Sequence, residues 1–294
     1  MSIETKVSII ITVKNNGIDL FMTMESLKVS YIGLAYEVII VDEGSIDGCC
    51  DFLLNYKLNR PIRKIKGQAG KSSRNLAASL AVGEYFVFCS PRLYFEDNWM
   101  ETLLEPLFQG TAEGVSPVFE IEERVPSKLG KKYTEGILHS IQSYPWTQNG
   151  DGLPWLSTEC FAVSRSTFQE CGGMENGFKS KELETSEFSL RMWLLGARCM
   201  LVQAVSLIQV LRINFPYDDS VDKWEEDLLI LAQLHFNEQR IAACESLLSE
   251  TSCAAGKEDM AEDLDGDTSA SRERYVFRRK HDDSWFVDRF DIPL

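Results

Sequence analysis

The sequence has no Cys-x-x-Cys pair among its eight cysteines, no apolar run of membrane-spanning length, and fewer basic than acidic residues. Without paired cysteines, a zinc knuckle or a dithiol motif is not predicted, and the chain is expected to be reduced and cytosolic. The net charge of −15 argues against a general nucleic-acid binder, although a local basic pocket could still hold a small anion. The N-terminal residues Met1 to Lys6 lack the basic and apolar blocks of a signal peptide, which agrees with a cytosolic location.

Apolar residues are nevertheless plentiful, at 44% of 294 residues, which is enough for a large core. Strands are predicted at Val7–Val13, Val38–Val41, Ile62–Ile65, Tyr85–Cys89, Val115–Phe119 and Glu159–Val163, with further short apolar runs at Cys199–Val202 and Ser206–Leu211. Helices are predicted at Asp19–Val29, Cys49–Tyr56, Ser72–Val82, Asn98–Phe108, Glu182–Leu195 and Trp224–Leu248. This alternation predicts βαβ units, and therefore an α/β fold with a mostly parallel sheet flanked by helices.

The most informative segment runs from Val38 to Gly48, where a strand buried on both faces ends in Asp42 and Glu43. Ligands of parallel sheets bind outside the carboxyl ends of the strands. A carboxylate at Asp42 could accept a hydrogen bond from a base or a sugar hydroxyl. The alternative is an acidic turn after a core strand, and this segment alone does not separate the two.

The segment from Gly67 to Ser73 is similar to a phosphate-binding P-loop, but the pattern requires glycine at the position of Ile65. A nucleoside triphosphatase is therefore not predicted. Lys71, Arg74 and the start of the following helix remain candidates for holding a phosphate.

Four segments carry a family resemblance when taken together: residues 7–16, 38–48, 70–75 and 83–85. Their order and spacing resemble those of family 2 glycosyltransferases, which have the GT-A fold. The segment from Gly172 to Trp193 resembles polypeptide N-acetylgalactosaminyltransferases and their bacterial relatives. The resemblance implies a GT-A nucleotide-sugar-binding and catalytic domain over residues 1–215.

The resemblance also implies roles for individual residues around a nucleotide diphosphate sugar, usually a UDP-sugar. Asp42 would pair with the base, and Thr12 and Asn15 would line the same pocket. Arg74 would lie near the nucleotide. Glu184 matches the carboxylate of the acceptor-side helix, a neighbourhood in which inverting members place a general base.

The chain departs from the family pattern at the metal site. An Asp-x-Asp or Asp-x-His triplet, which holds Mn²⁺ or Mg²⁺, is replaced by Ser90-Pro91-Arg92. A later histidine of the metal shell aligns with Gln209, and an aspartate of many inverting members aligns with Thr185. A divalent metal would therefore lack its usual ligands.

Two explanations of this departure stay open. Arg92, helped by Lys71 and Arg74, could clamp the diphosphate beside Ser90 and stabilise the leaving group without metal. Alternatively, the chain is a catalytically silent nucleotide-sugar-binding or scaffold protein. If it is active, the acceptor would be a glycan, a peptide or a small molecule, reached through the aperiodic loop 120–154.

Glu187 and Arg191 are spaced for an ordinary helical ion pair. The C-terminal part is predicted as a helical extension over 216–250, an acidic linker over 251–271 and a last segment over 272–294. That last segment either docks on the core or forms a lid, in which Arg279, His281 and Trp285 would close over the donor.

Overall fold

The computed structural model describes residues 5–122, 152–210, 224–251 and 266–292. A mixed eight-stranded sheet forms its centre, in the order β3-β2-β1-β4-β7-β6-β8-β5. The strands are β1 Val7–Val13, β2 Tyr36–Asp42, β3 Ile62–Lys66, β4 Tyr85–Cys89, β5 Leu93–Tyr94, β6 Gly114–Glu122, β7 Cys160–Ser164 and β8 Cys199–Val210. Strands β1 to β4 run parallel to one another, while β7 is antiparallel to both of its neighbours, β4 and β6.

Helices cover both faces of the sheet and create two buried apolar clusters, one on each side. They are α1 Asp19–Val29, α2 Ser73–Leu80, α3 Trp99–Phe108, α4 Arg165–Cys171, α5 Lys181–Leu194, α6 Trp224–His235, α7 Glu238–Thr251, α8 Gly266–Arg278 and α9 Asp283–Phe290. The predicted α/β class is confirmed. None of the helices in the described residues is long and apolar enough to cross a membrane.

Helix α5 is buried on all sides, from Leu183 to Leu194. Helix α5 packs against strand β8 of the sheet, and helices α6 and α9 also contact it. Glu184, Glu187 and Arg191 of this helix are therefore part of the interior, whereas Lys181 and Glu182 at its start are not. This sandwiched helix connects the sheet to the C-terminal helices.

The prediction of a helix at Cys49–Tyr56 is wrong, because the structure has only a single 3₁₀ turn there, at Asp51–Leu54. Its hydrogen bonds span three residues, as in the 3.2 Å bond from the Asn55 amide to the Phe52 carbonyl. The rings of Phe52 and Tyr56 pack edge-on against Phe21 of α1. This packing holds the short segment against the core without a longer helix.

Three other boundaries also differ from the predictions. The two apolar runs after residue 198 form one strand, β8, whose register against β6 shifts between Pro117 and Val118. The helix predicted from Trp224 to Leu248 is broken at residues 236–237, where the Asn237 amide bonds the Asp283 carboxylate at 2.9 Å. Helix α8 begins at Gly266, inside the predicted linker.

Residues 252–265 and most of the predicted acceptor loop, 123–151, lie outside the described residues.

Candidate active site

Thr12, Asn15 and Asp42, together called the Asp42 corner, lie at one edge of the sheet, where β1 and β2 end. The parallel register pairs Val13 with Asp42, so both strand ends are level. Asp42 Oδ1 accepts a 2.8 Å bond from the Ser45 amide, and Oδ2 lies 3.3 Å from Lys64 Nζ. Partial burial works to raise the pKa of Asp42, but the Ser45 and Lys64 contacts outweigh it and hold that pKa below its ordinary value. The corner therefore presents an ionised hydrogen-bond acceptor.

The loops after β1 and β2 are tied together beside Asp42. Asn15 adopts a left-handed conformation with φ of 54°, which asparagine tolerates better than most residues. Its amide donates to Ser45 Oγ at 3.1 Å, and its side-chain oxygen accepts from the Ile46 amide at 2.8 Å. The Gly17 amide bonds the Asp47 carboxylate at 2.7 Å. These cross-links preorganise the corner before any ligand arrives.

Arg74 and Glu184 neutralise each other inside the protein. Arg74 Nη1 lies 3.0 Å from Glu184 Oε2 and donates to Thr185 Oγ1 at 2.6 Å. The Ser72 hydroxyl donates to the other Glu184 oxygen at 2.5 Å. Glu184 is only 2% exposed and Arg74 4%. Both residues thus fasten the start of α2 to α5, and direct contacts to a nucleotide or an acceptor stay predictions. Lys71, just before α2, is exposed.

A second polar cluster, Ser90, Arg92 and Glu159, here called the Arg92 corner, forms where β4 ends and β7 begins. The Ser90 amide donates to the Glu159 carbonyl at 2.8 Å, and the Ser90 hydroxyl bonds the Glu159 carboxylate. Arg92 Nη2 lies 3.5 Å from Glu159 Oε1. About a fifth of each of the Arg92 and Glu159 side chains is exposed, so both are partly accessible to solvent.

The first turn of α5 adds two residues that the sequence did not single out. Lys181 Nζ lies 2.6 Å from Glu43 Oε1, which links α5 to the end of β2. The pKa of Glu182 is raised by desolvation and then by the charge of Glu159, with Arg92 opposing. The charges of Glu159 and Arg92 therefore act on Glu182, although the Glu182 side chain is exposed to solvent.

The described residues do not fit a divalent metal of the kind the family pattern implies. Among them, no group of three histidine, cysteine, aspartate or glutamate side chains could hold an ion. The place of the acidic triplet is taken by Ser90-Pro91-Arg92, and the Arg92 guanidinium would repel a cation there. Gln209, in the place of the later histidine, pairs with Leu93 between β8 and β5.

The residues predicted as a lid lie at the far end of α5. The Lys280 and His281 amides donate to the Leu194 carbonyl at 2.7 and 3.1 Å, about ten residues and roughly 15 Å from Glu184. His281 stacks on Trp285 at 3.8 Å, and Trp285 packs towards Trp193. Arg279 lines a small crevice with Arg191, His235 and Tyr275. These are the contacts of a docked segment, with none of the three residues at either corner.

A mixed sheet with polar corners at the ends of its parallel strands places this protein among those with the GT-A fold. The sequence profile described as Glycosyl transferase family 2 matches residues 8–172, more than half of the chain. The chain therefore belongs to glycosyl transferase family 2.

Curated relatives support this assignment. Polypeptide N-acetylgalactosaminyltransferase 8 of Drosophila melanogaster is 28% identical in an alignment of length 219, which covers 66% of this chain and 36% of that protein. Polypeptide N-acetylgalactosaminyltransferase 10 of Homo sapiens is 26% identical in an alignment of length 231, which covers 71% of this chain and 38% of that protein. This chain thus spans little more than a third of the length of these relatives.

Solved structures share the fold. GalNAc-T7 with UDP, GalNAc and Mn²⁺ superposes with a TM-score of 0.69 at 14% identity, covering 98% of this chain and 57% of that one. S. aureus TarS in complex with UDP-GlcNAc gives a TM-score of 0.56 at 15% identity, covering 97% of this chain and 81% of that one. At such identities, the likeness establishes the fold alone.

Proposed function

We propose that this chain is a glycosyltransferase that transfers a sugar from a nucleotide diphosphate donor, a UDP-sugar in the first instance, to a hydroxyl of a glycan, peptide or small molecule. The observation that carries the proposal is the ionised, preorganised Asp42 corner at the ends of β1 and β2. An acceptor oxygen held there suits the N–H of a base and the hydroxyls of a ribose. The relatives named as N-acetylgalactosaminyltransferases and the neighbours bound to UDP or UDP-GlcNAc favour a uridine nucleotide.

The diphosphate is proposed to lie at the Arg92 corner. When the bond from the sugar to the β-phosphate breaks, negative charge grows on the phosphate oxygens. A planar guanidinium can donate two parallel hydrogen bonds to those oxygens and so stabilise the charge, which the ammonium of a lysine, a point charge, cannot do in the same fixed geometry. Arg92 would therefore stabilise the leaving group in place of a metal, and Lys71 at the start of α2 would add positive charge.

In this proposal, Glu184 acts as a positioning residue. Both oxygens of its carboxylate are already bonded, one to Ser72 and the other to Arg74, so its proposed contribution is to hold the start of α2 against α5. The variant Glu184→Gln separates this role from a catalytic contact with the acceptor. Glu184→Gln would lose transfer with donor binding intact if Glu184 touches the acceptor, and would lose both if it positions the cleft.

Titration calorimetry tests the donor site by comparing UDP with uridine. Asp42→Asn should weaken both ligands, because both carry the base and the ribose. Arg92→Met should weaken UDP by about tenfold or more and leave uridine unchanged, as expected for the loss of a charge-assisted hydrogen bond of about 1.5–3 kcal/mol. Asp288→Asn, an exposed carboxylate on α9, is the matched control and should change neither.

A chelator tests the role of Arg92 directly. UDP binding should persist in excess chelator, and binding that vanishes in chelator and returns with Mn²⁺ would overturn the metal-free proposal. A panel of labelled sugar nucleotides, scored for transfer and hydrolysis, then tests turnover. The missing acidic triplet favours a silent nucleotide-sugar-binding protein as the second candidate, and tight UDP binding with no turnover across the panel would select it.

The predicted cytosolic location remains part of the proposal.

A further inference from the structure

Two cysteines face each other across the antiparallel strands β4 and β7. Cys89 is the last residue of β4, Cys160 is the first of β7, and the strand register pairs them directly. Their sulfur atoms lie 3.6 Å apart. A disulfide requires about 2.05 Å, so a small side-chain rotation would bring the two sulfurs within bonding distance.

The backbone at this pair suits a cross-strand disulfide. The Ser90 amide donates to the Glu159 carbonyl, which makes Ser90 and Glu159 a hydrogen-bonded pair. Pairs alternate along antiparallel strands, so Cys89 and Cys160 form a non-hydrogen-bonded pair. Such pairs have Cα atoms about 4.5 Å apart, within the range that disulfides span.

The two thiols differ in accessibility. Cys160 is completely buried, and burial raises its pKa well above the ordinary value, so it stays protonated. Cys89 is 5% exposed and lies at the strand end next to Ser90. A reagent as small as a hydroperoxide would therefore meet Cys89 first, whereas a bulky disulfide such as oxidised glutathione would be kept out.

We propose that Cys89 and Cys160 form an oxidation site that closes to a disulfide with hydroperoxide as the oxidant. The Cys89 thiol gives up its proton as its sulfur attacks one peroxide oxygen and breaks the O–O bond, and the departing hydroxide takes up that proton, so the products are a sulfenic acid and, from hydrogen peroxide, one water. The Cys160 sulfur then displaces the sulfenic hydroxyl and loses its proton, giving the disulfide and a second water. The two thiols lose two electrons in total, and the peroxide gains them.

The alternative is that both thiols are inert packing groups, as most buried cysteines are. The chain contains its own comparison for this. Cys244 is also buried, but among the described residues no other thiol lies within hydrogen-bond distance of it, so oxidation would not end there in a local disulfide. The two residues next to the pair, Ser90 and Glu159, belong to the Arg92 corner, so the oxidation site lies directly beside that corner.

The test is peptide mapping of the folded full chain after brief treatment with dilute hydrogen peroxide and alkylation of the remaining thiols. We expect a linked peptide containing Cys89 and Cys160, which disappears after reduction. Cys160→Ala should instead leave Cys89 as a sulfenic acid that a dimedone probe captures, while Cys244→Ala should behave like the wild type. This readout needs no nucleotide, so it is independent of the proposed function.

The proposal is overturned if Cys89 and Cys160 are both recovered as alkylated thiols while circular dichroism shows a folded chain. It is equally overturned if the linked peptide forms only as the circular dichroism signal is lost, because the bond would then belong to the unfolded chain. Oxidised glutathione at the same oxidising strength should give little linked peptide. Equal yields from the two oxidants would contradict the access argument on which Cys89 is placed first.

Discussion

The ion pair of Glu187 and Arg191 is completely buried in this molecule. Arg191 donates to both oxygens of Glu187, at 2.8 and 2.7 Å, and to the carbonyls of Cys171 and Gly173. His235 Nε2 lies 2.8 Å from the same Glu187 carboxylate. The sequence predicted the i, i+4 spacing of this pair but not its complete burial. Burial depends on helices α6 and α8, which lie far away in the chain, and the local pattern could not reveal them.

Glu187→Gln should destabilise the fold by about 3–5 kcal/mol, because it leaves the Arg191 guanidinium buried with its counter-charge removed. Urea unfolding measured by circular dichroism gives the change. The control is Glu226→Gln, which removes an ion pair to Lys179 whose side chains are both about half exposed. That variant should change stability by less than about 1 kcal/mol. Equal changes in unfolding free energy for the two variants would mean that burial does not increase the contribution of the Glu187–Arg191 pair to stability.

Asp227 makes stability depend on pH. It is fully buried on α6 and accepts bonds from the Lys179 and Ser180 amides just before α5. Burial raises its pKa from 3.8 to about 6, despite those two bonds. The folded state therefore holds this proton more tightly than the unfolded state. The resulting stabilisation is complete below pH of about 4 and is lost as the pH rises through about 6.

Asp227→Asn removes this titration while keeping a similar shape. The stability of the wild type relative to Asp227→Asn should fall by about 3 kcal/mol as the pH rises from 4 to 7. Urea denaturation at several pH values in this range measures the difference. A stability difference that stays constant with pH would show that the Asp227 pKa is not raised in the folded chain.

At the scale of elements, local pattern predicted most of the sheet. The strand at Tyr85–Cys89 has the predicted bounds, because four of its five residues are β-branched or aromatic and a Gly-Glu turn precedes it. The local sequence pattern failed where contacts between residues that are far apart in the sequence determine the secondary structure. The helix expected after Cys49 is replaced by a short turn whose aromatic rings pack on α1, and the break between α6 and α7 is bonded by Asp283 of α9.

Helix α9 shows how much one element depends on a single apolar anchor. Phe286 is fully buried, and its ring centroid lies 5.0 Å from those of Trp155 and Phe290. Phe286→Ala should cost about 3–5 kcal/mol, because the cavity adds to the lost transfer free energy. Phe277→Ala is the control, since that ring is 91% exposed on α8, and it should stay within about 0.5 kcal/mol. Thermal unfolding compares them, and a small effect of Phe286→Ala would mean that α9 is only loosely attached.

At the scale of the whole molecule, the candidate site combines a predictable half with an unpredictable half. Asp42 and Asn15 follow parallel strands, so the rule that ligands lie at carboxyl strand ends was enough to bring them together. Glu159 immediately precedes β7, which enters the sheet antiparallel to β4 about 70 residues later, and no local signal indicates that place in the sheet. Glu182 was missed because the neighbouring Glu184 fits the family pattern, while the structure turns Glu184 inward to Arg74.

The C-terminal helices α8 and α9 contribute side chains to the core around α5, so their removal should affect the whole fold. Tyr275 of α8 lies over Arg191 at 4.8 Å, and Trp285 and Phe290 of α9 pack against Trp193 of α5. Deleting the chain from residue 266 would expose Trp155, Trp193 and the buried Glu187–Arg191 pair at once. We therefore expect an aggregating product that binds a hydrophobic dye, measured by light scattering and dye fluorescence. A monodisperse product with wild-type thermal stability but no UDP binding would instead support the lid, because only the donor would then have lost contacts.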